Sequence, residues 1–279
     1  MSTSVANLQV EAVTPTLGAI IHDIDLSQPL GSDTVKAVRQ SLLDNGVVFF
    51  RGQDISREQL RSFVDNFGTV APVPFAKGDR PDGITEADLQ GAKRGTSVWH
   101  ADLTFNAEPP SITVLRAVKP PIVGGDTCWG SMYAAYETLS KPLQDLLEGL
   151  TAMHSARSVV TRMSDVEKKS ADYSAPADSF QHVHPAIVVH PETGRKLLFV
   201  NESSTTHFIE LKKSESDRLL GLLFEHIKSP DFTMRWHWKA NDIAMWDNRS
   251  VQHYAVPDYE SARIMQRVVV TGEKPQGPQ

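Results

Sequence analysis

Apolar residues fall mostly in short alternating or continuous runs, and helical spacing recurs in only a few stretches. Residues 8–13 and 19–26 spread β-branched side chains among polar ones between Pro and Gly, a pattern that predicts two short strands. Val35, Val38, Leu42 and Leu43 then recur at helical intervals, with Ser32 as the expected N-cap and Gly46 as the stop. Residues 47–50 are continuously apolar and suit a buried strand. Ser56 with Gln59 three residues on is a capping-box pattern, opening a helix through Leu60, Phe63 and Phe67 that Gly68 ends.

Residues 70–97 are crowded with prolines and glycines and hold no steady period, so they are expected to form a long loop, with a lid over an active site as its role. Beyond it, residues 111–118 alternate as a strand and Gly124-Gly125-Asp126 marks a turn. Helical spacing over 133–150 is interrupted near Pro142. The runs 186–190 and 196–201 flank Pro191-Glu192-Thr193-Gly194 as a hairpin, and Leu219, Leu222, Leu223 and Ile227 give one more amphipathic helix. Strands at 232–238, 243–246 and 263–271 close the chain. Many short strands with few helices predict a mainly β fold, a sandwich or barrel core with flanking helices.

Composition narrows the class without naming a function. A chain of 279 residues, 40% hydrophobic and 22% charged, with no linker or composition break, is expected to form one soluble domain over 1–279. A net charge of -6 with scattered basic residues excludes nucleic acid as a partner. The single cysteine, Cys128, excludes an intrachain disulfide, and no apolar run reaches the roughly 20 residues that span a bilayer. The expected setting is cytoplasmic, with no membrane partner.

Trp99-His100-Ala101-Asp102 sets an imidazole and a carboxylate two residues apart, so on a strand both would project from one face towards one metal. Such a pair alone arises often by chance. Its weight comes from the tail, where Trp246-Asp247-Asn248-Arg249 leads to His253 and Arg263 follows ten residues later. Two histidines and a carboxylate on one face of iron leave positions open for a bidentate 2-oxo acid and dioxygen. Arg267 lies four residues beyond Arg263, and on an extended strand the two share a face. Taken alone, Arg267 reads as a surface or salt-bridge residue, and Asp247 and Asn248 read as the turn that presents His253. His182 and His184 lack a carboxylate or cysteine at ligand spacing, Trp236 and Trp238 read as packing, and Tyr133 and Tyr136 read as core.

These motifs resemble the taurine dioxygenase and 2,4-dichlorophenoxyacetate dioxygenase (TauD/TfdA) family of Fe(II)/2-oxoglutarate oxygenases. Its anchors here are residues 48–53, 99–102, 124–127, 199–202, 246–249 and 263–267, spread over nearly the whole chain. The resemblance implies a double-stranded β-helix (jelly roll, cupin-like) core, with His100, Asp102 and His253 as iron ligands and Fe(II), 2-oxoglutarate and O2 as cofactor and cosubstrates. It implies that Thr127 and Arg263 hold the distal carboxylate of 2-oxoglutarate, that Arg267 and Thr96 meet a small anionic organic substrate, and that the chain forms a homo-oligomer, a dimer or tetramer. The chain departs from the taurine pattern: no histidine lies between His22 and His100, and Ala156 and Ser204 stand where taurine-type members carry aromatics. Sulfonates, sulfate esters and aryloxyalkanoates therefore remain candidate substrates. The same ligand set suits zinc in a hydrolase, and the barrel also suits a non-catalytic binding module; Arg263 weighs against the first and the intact ligand set against the second.

Overall fold

Alternation with period two places one apolar set on each side of a sheet, and the computed structural model uses both sides. It describes residues 8–72, 82–88, 97–162 and 180–279. The larger sheet has seven strands, in the order β1 (Val10–Ala12), β2 (Ala19–Ile21), β3 (Val47–Phe50), β13 (Ile243–Asp247), β5 (Ile112–Lys119), β15 (Ile264–Val270) and β4 (Thr85–Asp88). All neighbours are antiparallel except β2 and β3. Facing it is a smaller sheet of β12 (Thr233–Trp236), β6 (Thr127–Ser131) and β14 (Val251–Ala255). The two sheets form the expected jelly-roll core.

Between the sheets, Val47 and Phe49 of β3, Ala244 and Trp246 of β13, Ala117 of β5 and Met265 of β15 meet Trp129, Met234, Trp236 and Val251. Phe49 stacks on Trp236 at 3.8 Å and meets Trp129 edge-on at 5.4 Å. Burying Phe49 alone contributes on the order of 1.5–3 kcal/mol. The alternate residues Val48, Phe50, Ile243, Met245, Ile112, Val114, Val268 and Val270 face outward, under the apolar stripes of α1 (Ser32–Asn45) and α2 (Arg57–Asp65). A third cluster joins α3 (Met132–Glu137), the hairpin of β9 (Ile187–Val189) and β10 (Lys196–Leu198), and α6 (Lys213–Ile227). Beside it lies a sheet of β11 (Thr205–Phe208), β7 (Thr151–Ser155) and β8 (Gln181–Pro185). Among the described residues, no helix is long and apolar enough to cross a membrane.

Several local expectations are refined. The N-cap of α1 is Gly31, not Ser32, and no side chain caps it, whereas the Ser56–Gln59 capping box of α2 forms in full. The periodic run 133–150 divides because Pro142, lacking an N–H, is accommodated only in the first turn of a new helix, α4 (Lys141–Glu148). Within the expected loop 70–97, Thr85–Asp88 forms β4, an edge strand on β15. Its Thr-Glu-Ala-Asp sequence has no apolar alternation, so backbone pairing and a hydrogen bond from Thr85 Oγ1 to the Arg267 carbonyl (3.1 Å) carry it instead. Residues 73–81 and 89–96 of that stretch lie outside the described residues.

Gly46 ends α1 at φ +70°, its carbonyl accepts from the Asp247 amide at 2.9 Å, and an added Cβ would lie 2.7 Å from Val251 Cγ1. Gly46→Ala is therefore expected to cost roughly 1–3 kcal/mol through left-handed strain and overpacking, read as a lower urea midpoint. An unchanged midpoint would contradict this packing.

Candidate metal centre

The site is assembled where the smaller sheet runs out of strands. β14 pairs with β6 on one side, bringing His253 opposite Trp129. On its other side it meets a single residue: the His100 amide donates to the His253 carbonyl at 3.1 Å, and the His253 amide returns the bond to the His100 carbonyl at 2.8 Å. This reciprocal pair sets the two imidazoles 4.0 Å apart, with the His253 ring also packed on Trp246 at 4.7 Å. The chain then leaves extended geometry, with Leu103 at φ +54°. His-x-Asp is thus a bridge followed by a turn and not the continuous strand expected from its spacing. The physical reason is Asn248, whose side chain accepts from the Asp102 amide (2.7 Å) and donates to the Asp102 carbonyl (3.0 Å) and the Pro110 carbonyl (3.0 Å). A side chain takes the bonds that a neighbouring strand would otherwise supply.

One ligand atom from each of His100, Asp102 and His253 lies within 4.8 Å of the others, and His253 Nε2 is 4.0 Å from Asp102 Oδ1. His100 Nδ1 is 2.7 Å from the Val98 carbonyl, which only accepts, so Nδ1 carries a proton and Nε2 is the nitrogen left for a metal. Burial, reinforced by His100, holds His253 far below the ordinary histidine range and keeps it neutral. Burial also works to raise the Asp102 pKa. The Arg267 guanidinium above all, then the two neighbouring imidazoles and the Thr113 hydroxyl, outweigh it and hold the carboxyl at about 2. At neutral pH His253 is therefore neutral and Asp102 ionised, the states in which each donates to a divalent metal, and with His100 this donor set fits Fe(II).

Arg263 and Arg267 flank Met265, which points between the sheets, so both arginines lie on the inner face of the β15 strand line, as expected from their spacing. Arg263 is 3% exposed. Its Nη2 donates to Thr127 Oγ1 at 3.3 Å and its Nε to the Gly125 carbonyl at 3.0 Å, while Trp238 Nε1 donates to the same threonine oxygen at 2.9 Å. The neighbouring Asp126 carboxylate is engaged by Arg235 (2.6 Å) and His237 (2.9 Å). Among the described residues no carboxylate pairs with Arg263, and burial lowers its pKa. A buried guanidinium with only neutral partners is costly, and a ligand carboxylate would relieve it. Arg267 Nη1 donates to Asp102 Oδ1 at 2.9 Å. Thr96 lies outside the described residues.

Sequence reasoning missed two positioning residues. Asn248 was read only as part of a turn, and Thr113, whose hydroxyl donates to Asp102 Oδ2 at 3.0 Å, was read only as strand. The signal available for Asn248 was an amide in the polar turn 247–250 that leads into the His253 strand. Asp247 proves to be a buried hub: His190 Nε2 lies 3.0 Å away, and Arg249 Nε and Nη2 donate to it at 2.9 and 2.7 Å. Two further histidines support the turn after Asp102. His154 Nδ1 lies 3.0 Å from Thr104 Oγ1, and His184 Nε2 lies 2.9 Å from the Asn106 carbonyl. Among the described residues only the 100/102/253 set forms a group of three or more with metal-ligand spacing, and the His182 ring packs on His184 at 4.9 Å.

Comparison with known proteins places these features in a family context. The model of the taurine catabolism dioxygenase TauD, TfdA family matches residues 9–269. An alkylsulfatase from Acinetobacter baylyi is 36% identical over 277 residues, covering 95% of this chain and 86% of that protein. An alpha-ketoglutarate-dependent sulfate ester dioxygenase from Pseudomonas putida is 34% identical over 97% of this chain and 91% of its own length. The crystal structure of a taurine dioxygenase from Burkholderia xenovorans superposes with a TM-score of 0.84 at 33% identity, covering 97% of this chain and 91% of that one.

The Asn248 clamp leads to a direct expectation. Asn248→Ala frees both polar groups of the Asp102 peptide, so Mn(II) affinity is expected to fall by about 10–100-fold in a calorimetric titration. Unchanged affinity would make the amide a turn residue only. A second expectation concerns pH. Burial, with His182 nearby, pushes His184 down to about 4 and His154 well below 6.5. Between about pH 4 and 6.5 the unfolded chain therefore binds more protons than the folded one. This contribution to stability is complete above pH 6.5 and is lost as pH falls towards 4, whereas the Asp102 contribution disappears only below its unfolded value of 3.8. His184→Gln is expected to flatten the decline of the urea midpoint from pH 7 to 4.5, and equal slopes in the two proteins would refute it.

Proposed function

The chain belongs to the TauD, TfdA family, and from that premise we propose that it is an Fe(II)- and 2-oxoglutarate-dependent dioxygenase. It hydroxylates a C–H bond of a small anionic organic substrate, with release of succinate and CO2. The observation that carries this reading is the combination of a two-histidine, one-carboxylate set with a buried Arg263 that has no carboxylate partner among the described residues. A zinc hydrolase has no use for that second cationic pocket.

In this reading His100, Asp102 and His253 hold the ferrous ion, which when bound supplies the redox chemistry that couples O2 and 2-oxoglutarate to C–H hydroxylation. Arg263 and Thr127 bind the distal carboxylate of 2-oxoglutarate, the guanidinium by charge-assisted hydrogen bonds and the hydroxyl by orientation. Trp238 fixes that hydroxyl from behind. Trp246 and Trp129 keep water from the inner side of the metal set. Arg267 meets the substrate's anionic head group, with Thr96 assigned to the same substrate on the family resemblance alone. No side chain is needed as a general base.

Within the anionic class, sulfate esters are the first choice, because the alkylsulfatase and the sulfate ester dioxygenase match at 36% and 34% identity. The lack of a histidine between His22 and His100 weighs against taurine. Hydroxylation of the carbon that bears the ester oxygen gives a hemiacetal-type sulfate, which breaks its C–O bond to release an aldehyde and sulfate.

The test is succinate release and O2 uptake with Fe(II), ascorbate and 2-oxoglutarate over a panel of alkyl sulfates, sulfonates and aryloxyalkanoates. Turnover is expected with alkyl sulfates, and no turnover across the panel would count against the proposal. Arg263→Ala is expected to raise KM for 2-oxoglutarate by about 10–100-fold, the loss of a charge-assisted pair, while Arg267→Ala raises KM for the primary substrate. Loss of cosubstrate affinity alone in both variants would overturn the assignment of Arg267.

A further inference from the structure

One carboxylate oxygen lies between a guanidinium and a neutral imidazole that shares the metal set. Asp102 Oδ1 faces His253 Nε2 across 4.0 Å and accepts from Arg267 Nη1 at 2.9 Å, while Oδ2 is turned to Thr113 at 3.0 Å. The carboxylate has little freedom to serve them separately, because Asp102 is 4% exposed and Asn248 holds both polar groups of its peptide. The guanidinium is the partner with room to move: the Arg267 side chain is 33% exposed. Arg263, by contrast, is held by Thr127 and the Gly125 carbonyl and touches no member of the metal set among the described residues.

We propose that Arg267 couples the metal site to the substrate's anion site through Asp102 Oδ1. A divalent ion on that oxygen draws away its electron density and repels the guanidinium, so Arg267 is released to bind an anion. An anion on Arg267 in turn relieves that repulsion and leaves Oδ1 to the metal. Linkage requires the two effects to be one factor: the metal strengthens anion binding exactly as much as the anion strengthens metal binding. The inference rests on the assignment of Arg267 to the substrate's head group, and it makes Arg267 a competitor for the metal ligand when no anion is bound. Substitution of Arg267 should therefore improve metal binding, the opposite of what loss of a merely structural contact to Asp102 would do.

The test is calorimetric titration of the full chain with Mn(II), with hexyl sulfate as the anionic probe. In the wild type, saturating hexyl sulfate is expected to tighten Mn(II) binding by about 10-fold, within the usual range of such couplings, and Mn(II) to tighten hexyl sulfate binding by the same factor. Arg267→Gln is expected to bind Mn(II) alone several-fold more tightly than the wild type and to show no coupling. Arg267→Lys, which retains the cation, should bind Mn(II) alone as the wild type does, with melting temperatures confirming that both variants are folded. If folded Arg267→Gln binds Mn(II) equally or more weakly, or still shows coupling, the inference is wrong. Should hexyl sulfate bind nowhere, the Mn(II) affinity of Arg267→Gln alone decides it. Failure of Mn(II) to bind the wild type, or equal binding to His100→Ala, would instead overturn the proposed function itself.

Discussion

Two peptide hydrogen bonds between His100 and His253 hold the site together. β14 has β6 on one flank, and among the described residues the backbone bonds on its other flank come from a segment that bridges to it at one residue. Backbone pairing of this kind fixes side-chain direction without help from the side chains, so the imidazoles are oriented before any metal arrives. Each of the other contacts in the site builds on that join. Asn248, reaching from the turn between β13 and β14, can clamp Asp102 only because residue 100 has been docked beside residue 253. Thr113 and Arg267, from the facing sheet, then choose how the carboxylate lies.

The interior charges follow one rule with one exception. Asp247 is met by His190 and Arg249, and Asp242 by Arg51. Asp126 is divided between Arg235 and His237, and Asp102 has Arg267. Burying a charge is tolerable when its partner comes with it. Arg263 breaks the rule among the described residues, since its partners are a hydroxyl and a carbonyl. A protein that neutralises its buried acids so thoroughly leaves such a cation unmatched where a ligand completes the pair.

Much of this was legible in the sequence, for physical reasons that differ by element. The inner and outer faces of β3, β13 and β15 follow from period-two alternation, because a one-residue slip would turn Trp246 and Met265 out of the core. The Ser56 capping box could be read because all its partners lie within four residues. The cluster of His100, Asp102 and His253 could be anticipated from spacing and family resemblance, but not its backbone geometry, since the bond that shapes Asp102 comes from Asn248, remote in sequence. β4 escaped notice because Thr-Glu-Ala-Asp at a sheet edge needs no apolar face. The histidines 154 and 184 were legible as residues but not as supports, because what they support, the 104–106 turn, is itself defined by tertiary contacts.

Both arginines of the inner pocket belong to one strand line, and this has a geometric consequence. Four residues of extended backbone set their Cα atoms roughly 13 Å apart, a spacing that loop sequence does not alter. The strand is thus a ruler: on the proposed assignments one mark would anchor the oxidant's organic partner and the other the substrate's charged end. Regiochemistry would be counted from that charged end outward, and the length of whatever trails beyond the reacting carbon would be left to the surface around the opening.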